Sequence, residues 1–97
     1  MAEYEIKNNE SLNRFETQVD GVFGFLEYAK KSATIALLHT EVPPEIGGRG
    51  IAQALAVHAF EYAKANDLKV IIYCPFVAVC IKRHPEWDNQ VLKINSQ

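Results

Sequence analysis

The order of segments between residues 32 and 74 constrains the fold more than any other feature of the sequence. An apolar run, SATIALLHTEV, ends at Val42; GGRG follows at residues 47–50; and a second apolar run, LKVIIYC, begins at residue 68. Between them, a helix is predicted because apolar residues recur at i, i+3 and i+4. A strand, a helix and a strand in this order form a right-handed crossover with parallel strands. The apolar face of the predicted helix consists of Ala52, Leu55, Ala56, Ala59, Phe60 and Ala63.

The first half of the chain predicts an antiparallel meander. Asp20-Gly21 stands between two strand-like runs and is a strong signal for a hairpin. YEIKNN, at residues 4–9, is a candidate edge strand, and a turn at Lys30–Ser32 would lead into SATIALLHTEV. The expected inward-facing residues are Phe15, Thr17 and Val19 before the hairpin turn, and Phe23, Phe25 and Tyr28 supply aromatic bulk after it.

After the crossover, PFVAVCIKRH reads as a short helix with Pro75 in its first turn, and it ends before Pro85. The predicted fold class is therefore α/β (α+β): an antiparallel β-meander that continues into a βαβ crossover and a short C-terminal helix. A chain of 97 residues is expected to form a single domain over residues 1–97.

Charge and cysteine usage exclude several classes of function. Ten Lys and Arg against twelve Asp and Glu give a net charge of −2, without the basic stripe of a nucleic-acid-binding protein. Neither a bilayer-spanning apolar run nor a signal peptide is visible, so we expect no membrane partner. Cys74 and Cys80 have a spacing of neither zinc nor thioredoxin type, so no metal site and a reduced, cytoplasmic protein are expected.

The glycine cluster at Gly47, Gly48 and Gly50 has two interpretations. Bare backbone amides at a helix N-terminus form an anion site, and Arg49 could add a charge-assisted contact. Alternatively, the glycines serve only the geometry of a tight strand-to-helix turn. A Walker loop is excluded because no Lys-Ser/Thr pair follows, and a dinucleotide fingerprint is excluded because Gln53 stands where a small residue is needed.

The stretch EVPPEIGGRGIAQALAVHAFEYAKANDLKVIIYCPFVAVCIKRHPEW resembles the core of the GNAT superfamily of acetyl-CoA-dependent N-acetyltransferases. The likeness is closest to its small single-domain, YjdJ-type subfamily and extends over residues 15–91. The superfamily's phosphate loop, [RQ]-x-x-G-x-[GA], falls on residues 47–52, where Gly47 replaces the usual Arg or Gln. The resemblance implies that acetyl-CoA is the co-substrate, with its pyrophosphate on the amides of Gly48, Arg49, Gly50, Ile51 and Ala52.

The resemblance also implies that the strand ending at Val42 diverges from the strand at residues 70–73 and admits the pantetheine arm. Val42, Cys74 and Phe76 are then expected to contact the cofactor. Tyr73 and Phe76, which flank Cys74, are expected to pack rather than react.

The resemblance implies transfer by direct attack of an amine on the thioester, in a ternary complex. Cys74 could protonate the CoA thiolate or accept the acetyl group, although a buried core role is equally open. His39 and Glu41, two apart on a strand, face one side, and either could be the base. Each also has a purely structural interpretation, as a hydrogen-bonded histidine or a solvated carboxylate. A Cys-His hydrolase would lack a recognisable orienting residue.

Larger members of the superfamily insert helices between their first two strands, but here only NNESLN occupies that place. The acceptor side should therefore be open, and the amine is left undetermined between a protein and a small molecule. The alternative is a weakly active or non-catalytic acetyl-CoA-binding module. We expect a monomer or weak dimer, and we expect His58 at the solvent-facing side of the helix.

Overall fold

The computed structural model describes residues 4–92 and contains one mixed five-stranded sheet with strand order β1-β2-β3-β4-β5. Strands β1 to β4 are successively antiparallel, and β5 is parallel to β4, which confirms the predicted meander and crossover. The strands are β1 (Lys7–Asn9), β2 (Arg14–Val19), β3 (Val22–Lys31), β4 (Thr34–Glu41) and β5 (Lys69–Ile72). The helices are α1 (Ile51–Ala65) and α2 (Pro75–Cys80), with 3₁₀ turns at Pro44–Ile46, Ile81–Arg83 and Pro85–Gln90.

The β2–β3 hairpin forms where the sequence predicts it. Val19 pairs with Val22, and the two residues between them, Asp20 and Gly21, have φ angles of 53° and 80°. A two-residue turn with both φ angles positive matches the right-handed twist of the strands that it joins. The hairpin turn is therefore a well-defined structural element rather than a loose loop.

The core lies on one face of the sheet. The fully buried strand residues include Phe15, Leu26, Ile35 and Leu37, and α1 packs against them. Phe23 and Phe25 were expected to add aromatic bulk beside Tyr28, but only Tyr28 is buried in the core. Side chains alternate along a strand, so once Gly24, Leu26 and Tyr28 point inward, residues 23 and 25 must point to the other face.

The helix α1 approaches β3 closely at its N-terminus. A Cβ atom placed on Gly24 would lie 3.2 Å from Cγ2 of Ile51, the first residue of α1. A glycine at position 24 therefore lets the start of the helix settle onto the sheet. This contact positions the N-terminus of α1 beside the end of β4, because the same Cβ would lie 3.6 Å from the Glu41 carbonyl oxygen.

The expectation that His58 faces solvent is wrong. The residue is half-buried, and its ring packs edge-on against Phe15, with 5.2 Å between the ring centroids. Burial lowers the pKa of the His58 imidazole, while nearby Glu61 opposes the shift. The Phe15 ring on the sheet extends beyond the apolar stripe of α1. His58 lies beside that stripe and is therefore partly covered.

The C-terminal segment closes one end of the core with an aromatic stack. Trp87 lies between Phe60 and His84, with ring centroids 4.3 and 4.0 Å away and nearly parallel planes. The α-helix ends at Cys80, and the chain continues as 3₁₀ turns on either side of His84. Within residues 4–92, none of the helices combines the length and the apolarity needed to cross a membrane.

The other face of the sheet carries no helix in the described part of the chain, and its side chains are half-buried or exposed. Arg14 lies over the ring of Phe25, 4.4 Å from its centroid, and its Nε donates to the Glu16 carboxylate at 2.8 Å. The segment between β1 and β2 is a short turn, so no helix covers this face from there. We call this surface the bare face of the sheet.

Candidate active site

The strands β4 and β5 separate at their carboxyl ends. Their pairing covers residues 34–37 of β4 and 69–72 of β5, and β4 continues alone to Glu41. The backbone N–H groups of Tyr73 and Cys74 both donate to the Leu37 carbonyl at 3.0 Å, which is where the two chains part. A gap therefore opens between the end of β4 and the start of α2.

A β-bulge lies at the mouth of this gap. Leu37 pairs with Tyr28 and His39 pairs with Glu27, so Leu38 is an extra residue on β4. Such a bulge shifts the alternation of side chains by one position. Beyond it, Thr40 faces the side of the helices, whereas the residues on either side of it face the bare side.

A cleft of about 400 Å³ lies at the N-terminus of α1, between the chain that follows β4 and the first turn of α2. Six of the residues expected from the resemblance to contact the cofactor line it, and Arg49 and Cys74 do not. The lining residues are Val42, Gly47, Gly48, Gly50, Ile51, Ala52, Gln53 and Phe76.

Two of the three clustered glycines adopt a backbone conformation that other residues rarely take. Gly48 and Gly50 have φ angles of 75° and 77°, and a Cβ on either would meet nothing within 4 Å. Gly47 has φ −71°, which any residue can adopt. Turn geometry therefore accounts for glycine at positions 48 and 50, and it leaves their backbone open to the cleft.

Within residues 4–92, no group accepts a hydrogen bond from the amides of the first turn of α1. Gly50 is the N-cap residue and has no side chain to accept a hydrogen bond, and the first turn contains no acidic residue. The amide of Ala54 is the first that bonds within the helix, to the Gly50 carbonyl at 3.0 Å. Uncapped amides together with the helix dipole give this end of the cleft a positive potential that suits an anion.

The side chain of Arg49 does not enter the cleft. Its guanidinium donates to the Asp20 carboxylate in the β2–β3 turn at 2.8 Å, and both side chains are largely exposed. Its backbone carbonyl accepts a hydrogen bond from the Tyr4 hydroxyl at 2.6 Å. The guanidinium is thus paired with Asp20, and the expected charge-assisted contact of Arg49 with a ligand would require its release from that carboxylate.

Cys74 is buried at the N-cap of α2, below the gap. Its Sγ lies 3.1 Å from the Oγ1 of Thr40, and either atom can be the donor. The neighbouring rings do not pack as expected, because Tyr73 is 63% exposed and Phe76 is 39% exposed. Phe76 instead offers its ring to the cleft, as an apolar surface for a ligand.

His39 and Glu41 lie together on the bare face of the sheet. The Nε2 of His39 is 3.0 Å from the carboxylate of Glu41, and both side chains are more than half exposed. When the carboxylate accepts from Nε2–H, the Nδ1 atom is left as a free acceptor. The pair can therefore act as a base whose tautomer is set by Glu41.

Residues 14–91 match the family described as GCN5-related N-acetyl-transferase. The chain belongs to this family. An NMR structure of a GCN5-like protein from Staphylococcus aureus superposes with a TM-score of 0.72 and 27% identity, over 100% of this chain and 96% of that one. Compared with Protein NATD1 of Danio rerio, the chain is 32% identical over 92 residues, 93% of this chain and 83% of the relative. Protein NATD1 of Xenopus tropicalis is 41% identical over 59 residues, 61% of this chain and 53% of the relative, so that match spans about half the relative's length.

In this GCN5-related chain, Gly47 stands where the phosphate-loop motif has Arg or Gln, and the structure has room for a side chain at this position. A Cβ on Gly47 would lie 3.5 Å from the Pro44 carbonyl oxygen, an ordinary contact, and the backbone is extended with φ −71° and ψ 162°. Neither strain nor crowding therefore requires glycine at this position, and the residue lines the cleft.

Sequence reasoning missed Glu27 and Thr40. Glu27 is the cross-strand neighbour of His39, is half-buried, and forms no hydrogen bond or ion pair with any described residue. Its neighbour on the other side, Arg14, is bound to Glu16. The sequence holds a weak signal for Glu27, since it alternates with Leu26 and Tyr28, but no signal for the bulge that brings Thr40 to Cys74. Among the described residues, no cluster of His, Cys, Asp and Glu could hold a metal ion.

Proposed function

We propose that this chain binds acetyl-CoA in the cleft and transfers the acetyl group to an amine by direct attack in a ternary complex. The observation that carries the proposal is the uncapped N-terminus of α1 opening into a cleft beside the parting strands β4 and β5, in a chain of the GCN5-related family. Backbone donors, a gap and an apolar ring are the elements that a phosphorylated, chain-like thioester needs.

The cofactor would lie along the cleft from the helix to the gap. The amides from Gly48 to Ala52 would hold the pyrophosphate, as the open space above Gly48 and Gly50 allows. Val42 and Phe76 would flank the pantetheine arm, since both line the cleft, one from the chain that follows β4 and the other from the first turn of α2. The thioester would then reach the region between the bulge on β4 and Cys74.

The reaction requires one proton acceptor and one proton donor. The amine nitrogen attacks the thioester carbonyl carbon, the C–N bond forms, the C–S bond breaks, and CoA leaves as a thiolate. His39, oriented by Glu41, takes one proton from the arriving ammonium group so that the neutral amine can attack, and the second proton, lost as the amide forms, passes to solvent. Cys74 gives its Sγ proton to the departing thiolate, and the hydroxyl of Thr40 at 3.1 Å holds the cysteine side chain in place.

The acceptor amine would approach from the bare face of the sheet. Phe25, Glu27, His39 and Glu41 form a cross-strand patch there, in which Phe25 pairs with Glu41 and Glu27 with His39. Side chains directly opposite in this way are about 5 Å apart at Cβ. The unpaired carboxylate of Glu27 suits the ammonium group in which an amine arrives. None of the described residues walls off the patch, so a protein amine fits as well as a small one.

A thermal-shift titration with acetyl-CoA, CoA and NAD tests the cofactor, and NAD serves as the control ligand. A ligand at a hundred times its dissociation constant adds about 2.7 kcal/mol, which in a domain of this size raises the midpoint by about 10–20 °C. We expect this rise with both CoA species and none with NAD. A flat response to all three would reject the proposal.

A second candidate function is an acetyl-CoA-binding module with little turnover. The observation that favours it is the exposure of the acceptor side, where the His39 and Glu41 side chains are 57% and 55% exposed. An exposed base works in water and holds a small amine by few contacts. An acetyl-transfer assay with lysine-containing peptides and small amines separates the two functions. The binding module predicts CoA affinity without any transfer above the uncatalysed background.

A further inference from the structure

The glycine loop, residues 47–50, is held from outside the cleft by two contacts to a single residue. We propose that Tyr4 and Asp20 are positioning residues that clamp Arg49 and thereby fix the loop in its ligand-binding conformation. This inference rests on the proposed function, because the ligand that the loop receives is the CoA pyrophosphate. In this role the Arg49 side chain binds another protein residue rather than the phosphate.

The loop needs such a clamp because of its own backbone. Gly48 and Gly50 flank Arg49 and both have positive φ angles, and glycine moves between positive and negative φ at little cost. Without restraint, the segment would populate several conformations, and only those with amides facing the cleft would bind an anion. The apparent affinity for the ligand falls in proportion to the fraction of molecules whose loop has the binding conformation.

The Tyr4 hydroxyl fixes the orientation of one peptide group. It donates to the Arg49 carbonyl at 2.6 Å. In a planar trans peptide the carbonyl and the following N–H point in opposite directions, so the Gly50 N–H must point away from Tyr4. Rotation of this peptide unit would break the hydrogen bond. Tyr4 therefore holds the amide of a residue that lines the cleft.

The Asp20 carboxylate fixes the side chain of the same residue. It accepts from the Arg49 guanidinium at 2.8 Å and belongs to the two-residue β2–β3 turn, which the Val19–Val22 pair closes. Both partners are largely exposed, so the pair adds little to the folding free energy. Its loss should therefore lower the melting temperature of the unliganded protein by a few degrees at most.

The test measures CoA affinity by calorimetry in Asp20→Asn, Arg49→Gln, Arg49→Lys, the double variant Asp20→Asn/Arg49→Gln, and Tyr4→Phe. Asparagine tolerates the positive φ of position 20, so the turn is retained. The matched control is Tyr62→Phe. It removes the exposed hydrogen bond that the Tyr62 hydroxyl accepts from Lys30 Nζ at 2.9 Å, outside the cleft. Circular dichroism and the unliganded melting temperature verify folding.

We expect Asp20→Asn, Arg49→Gln and Tyr4→Phe each to weaken CoA binding about 3- to 10-fold, as loss of one restraint worth about 1 kcal/mol implies. The double variant should bind like either single variant of the pair, because both remove the same contact. Arg49→Lys keeps the positive charge and should lose less affinity than Arg49→Gln, whereas Tyr62→Phe should bind as the wild type does. Unliganded melting temperatures should stay within a few degrees.

Tighter or unchanged binding in Asp20→Asn, with loss in Arg49→Gln, would show that a released guanidinium binds the phosphate directly, and would overturn the clamp. Additive losses in the double variant would overturn it as well. A wild-type protein that binds no CoA would overturn the proposed function itself, and this outcome is visible before any variant is compared.

Discussion

The two faces of the sheet are built on different principles. On the helix side, buried apolar side chains fix α1 and α2, and the cleft presents bare backbone at Gly48 and Gly50, which line it. On the bare side, the chemistry lies in half-exposed side chains such as Glu27 and His39, which no helix of residues 4–92 covers. A site made of backbone depends on the fold, whereas a site made of surface side chains depends on its partner. The cofactor half should therefore be robust and the acceptor half easily changed.

Cys74 lies between the two halves, and its replacement should have the largest effect. We expect Cys74→Ala to lower kcat of acetyl transfer about 100-fold, because the CoA thiolate loses its proton donor, while the affinity for acetyl-CoA changes little. The matched control is Cys80→Ala, since Cys80 is also a buried cysteine but lies at the end of α2 that is remote from the gap. Steady-state kinetics with both substrates varied give the answer. Equal losses in both variants would contradict the role of Cys74, and parallel lines in double-reciprocal plots would indicate an acetyl-cysteine instead.

The role of the bare backbone amides in the cleft is tested at Gly50. Gly50→Asn can keep the positive φ but places a side chain in the open space above the amides, so CoA binding should weaken at least about 10-fold. Gly21→Asn is the control, since Gly21 has nearly the same φ, 80° against 77°, and lies outside the cleft. Calorimetry with CoA measures both. A similar loss of affinity in the two variants would mean that the effect is conformational and not one of close approach.

The fold could be predicted from the sequence where the signal is local. Asp20-Gly21 encodes a turn within two residues, and the period of α1 and the glycines before it lie within one segment. The Arg49–Asp20 ion pair joins residues 29 positions apart, and only the finished fold brings them together. The bulge at Leu38 likewise has no sequence motif, and without it Thr40 would face away from Cys74. The candidate residues could therefore be named in large part, but not the contacts that orient them.

On the bare face, Glu27→Gln should raise KM for the acceptor amine about 5-fold and leave the affinity for acetyl-CoA unchanged. The reason is the loss of an unpaired, half-buried carboxylate beside His39, which would otherwise attract the ammonium form of the amine. Glu16→Gln is the matched control, because Glu16 lies on the same face but is bound to Arg14. An unchanged KM in Glu27→Gln, or an equal rise in Glu16→Gln, would place the acceptor elsewhere.

A substitution at Gly47, which stands where the loop motif has Arg or Gln, should have a smaller effect, and it should strengthen CoA binding rather than weaken it. Gly47→Gln adds a side chain to the rim of the cleft without backbone strain, and its amide can donate to an anion there, so CoA should bind about 2- to 5-fold more tightly. Gly47→Ala is the control, since both variants stabilise the fold by restricting the unfolded chain, by about 0.4–1 kcal/mol. Affinity that rises equally in both would assign the gain to the backbone.

The smallest expected effect is on the pH dependence of stability, and it concerns His58 on the side of the sheet that the helices cover. Burial lowers the pKa of this imidazole below its ordinary value of 6.5, so the unfolded chain binds the proton more tightly than the folded one. Its contribution to the free energy of unfolding is therefore complete above pH 6.5 and is lost as the pH falls through the folded pKa. His58→Phe keeps a ring against Phe15 and removes the titration. Chemical denaturation between pH 7.5 and 5 should show a shallower loss of stability in the variant than in the wild type. Identical slopes would mean that His58 titrates alike in both states, and that the helix covers it less than the packing against Phe15 implies.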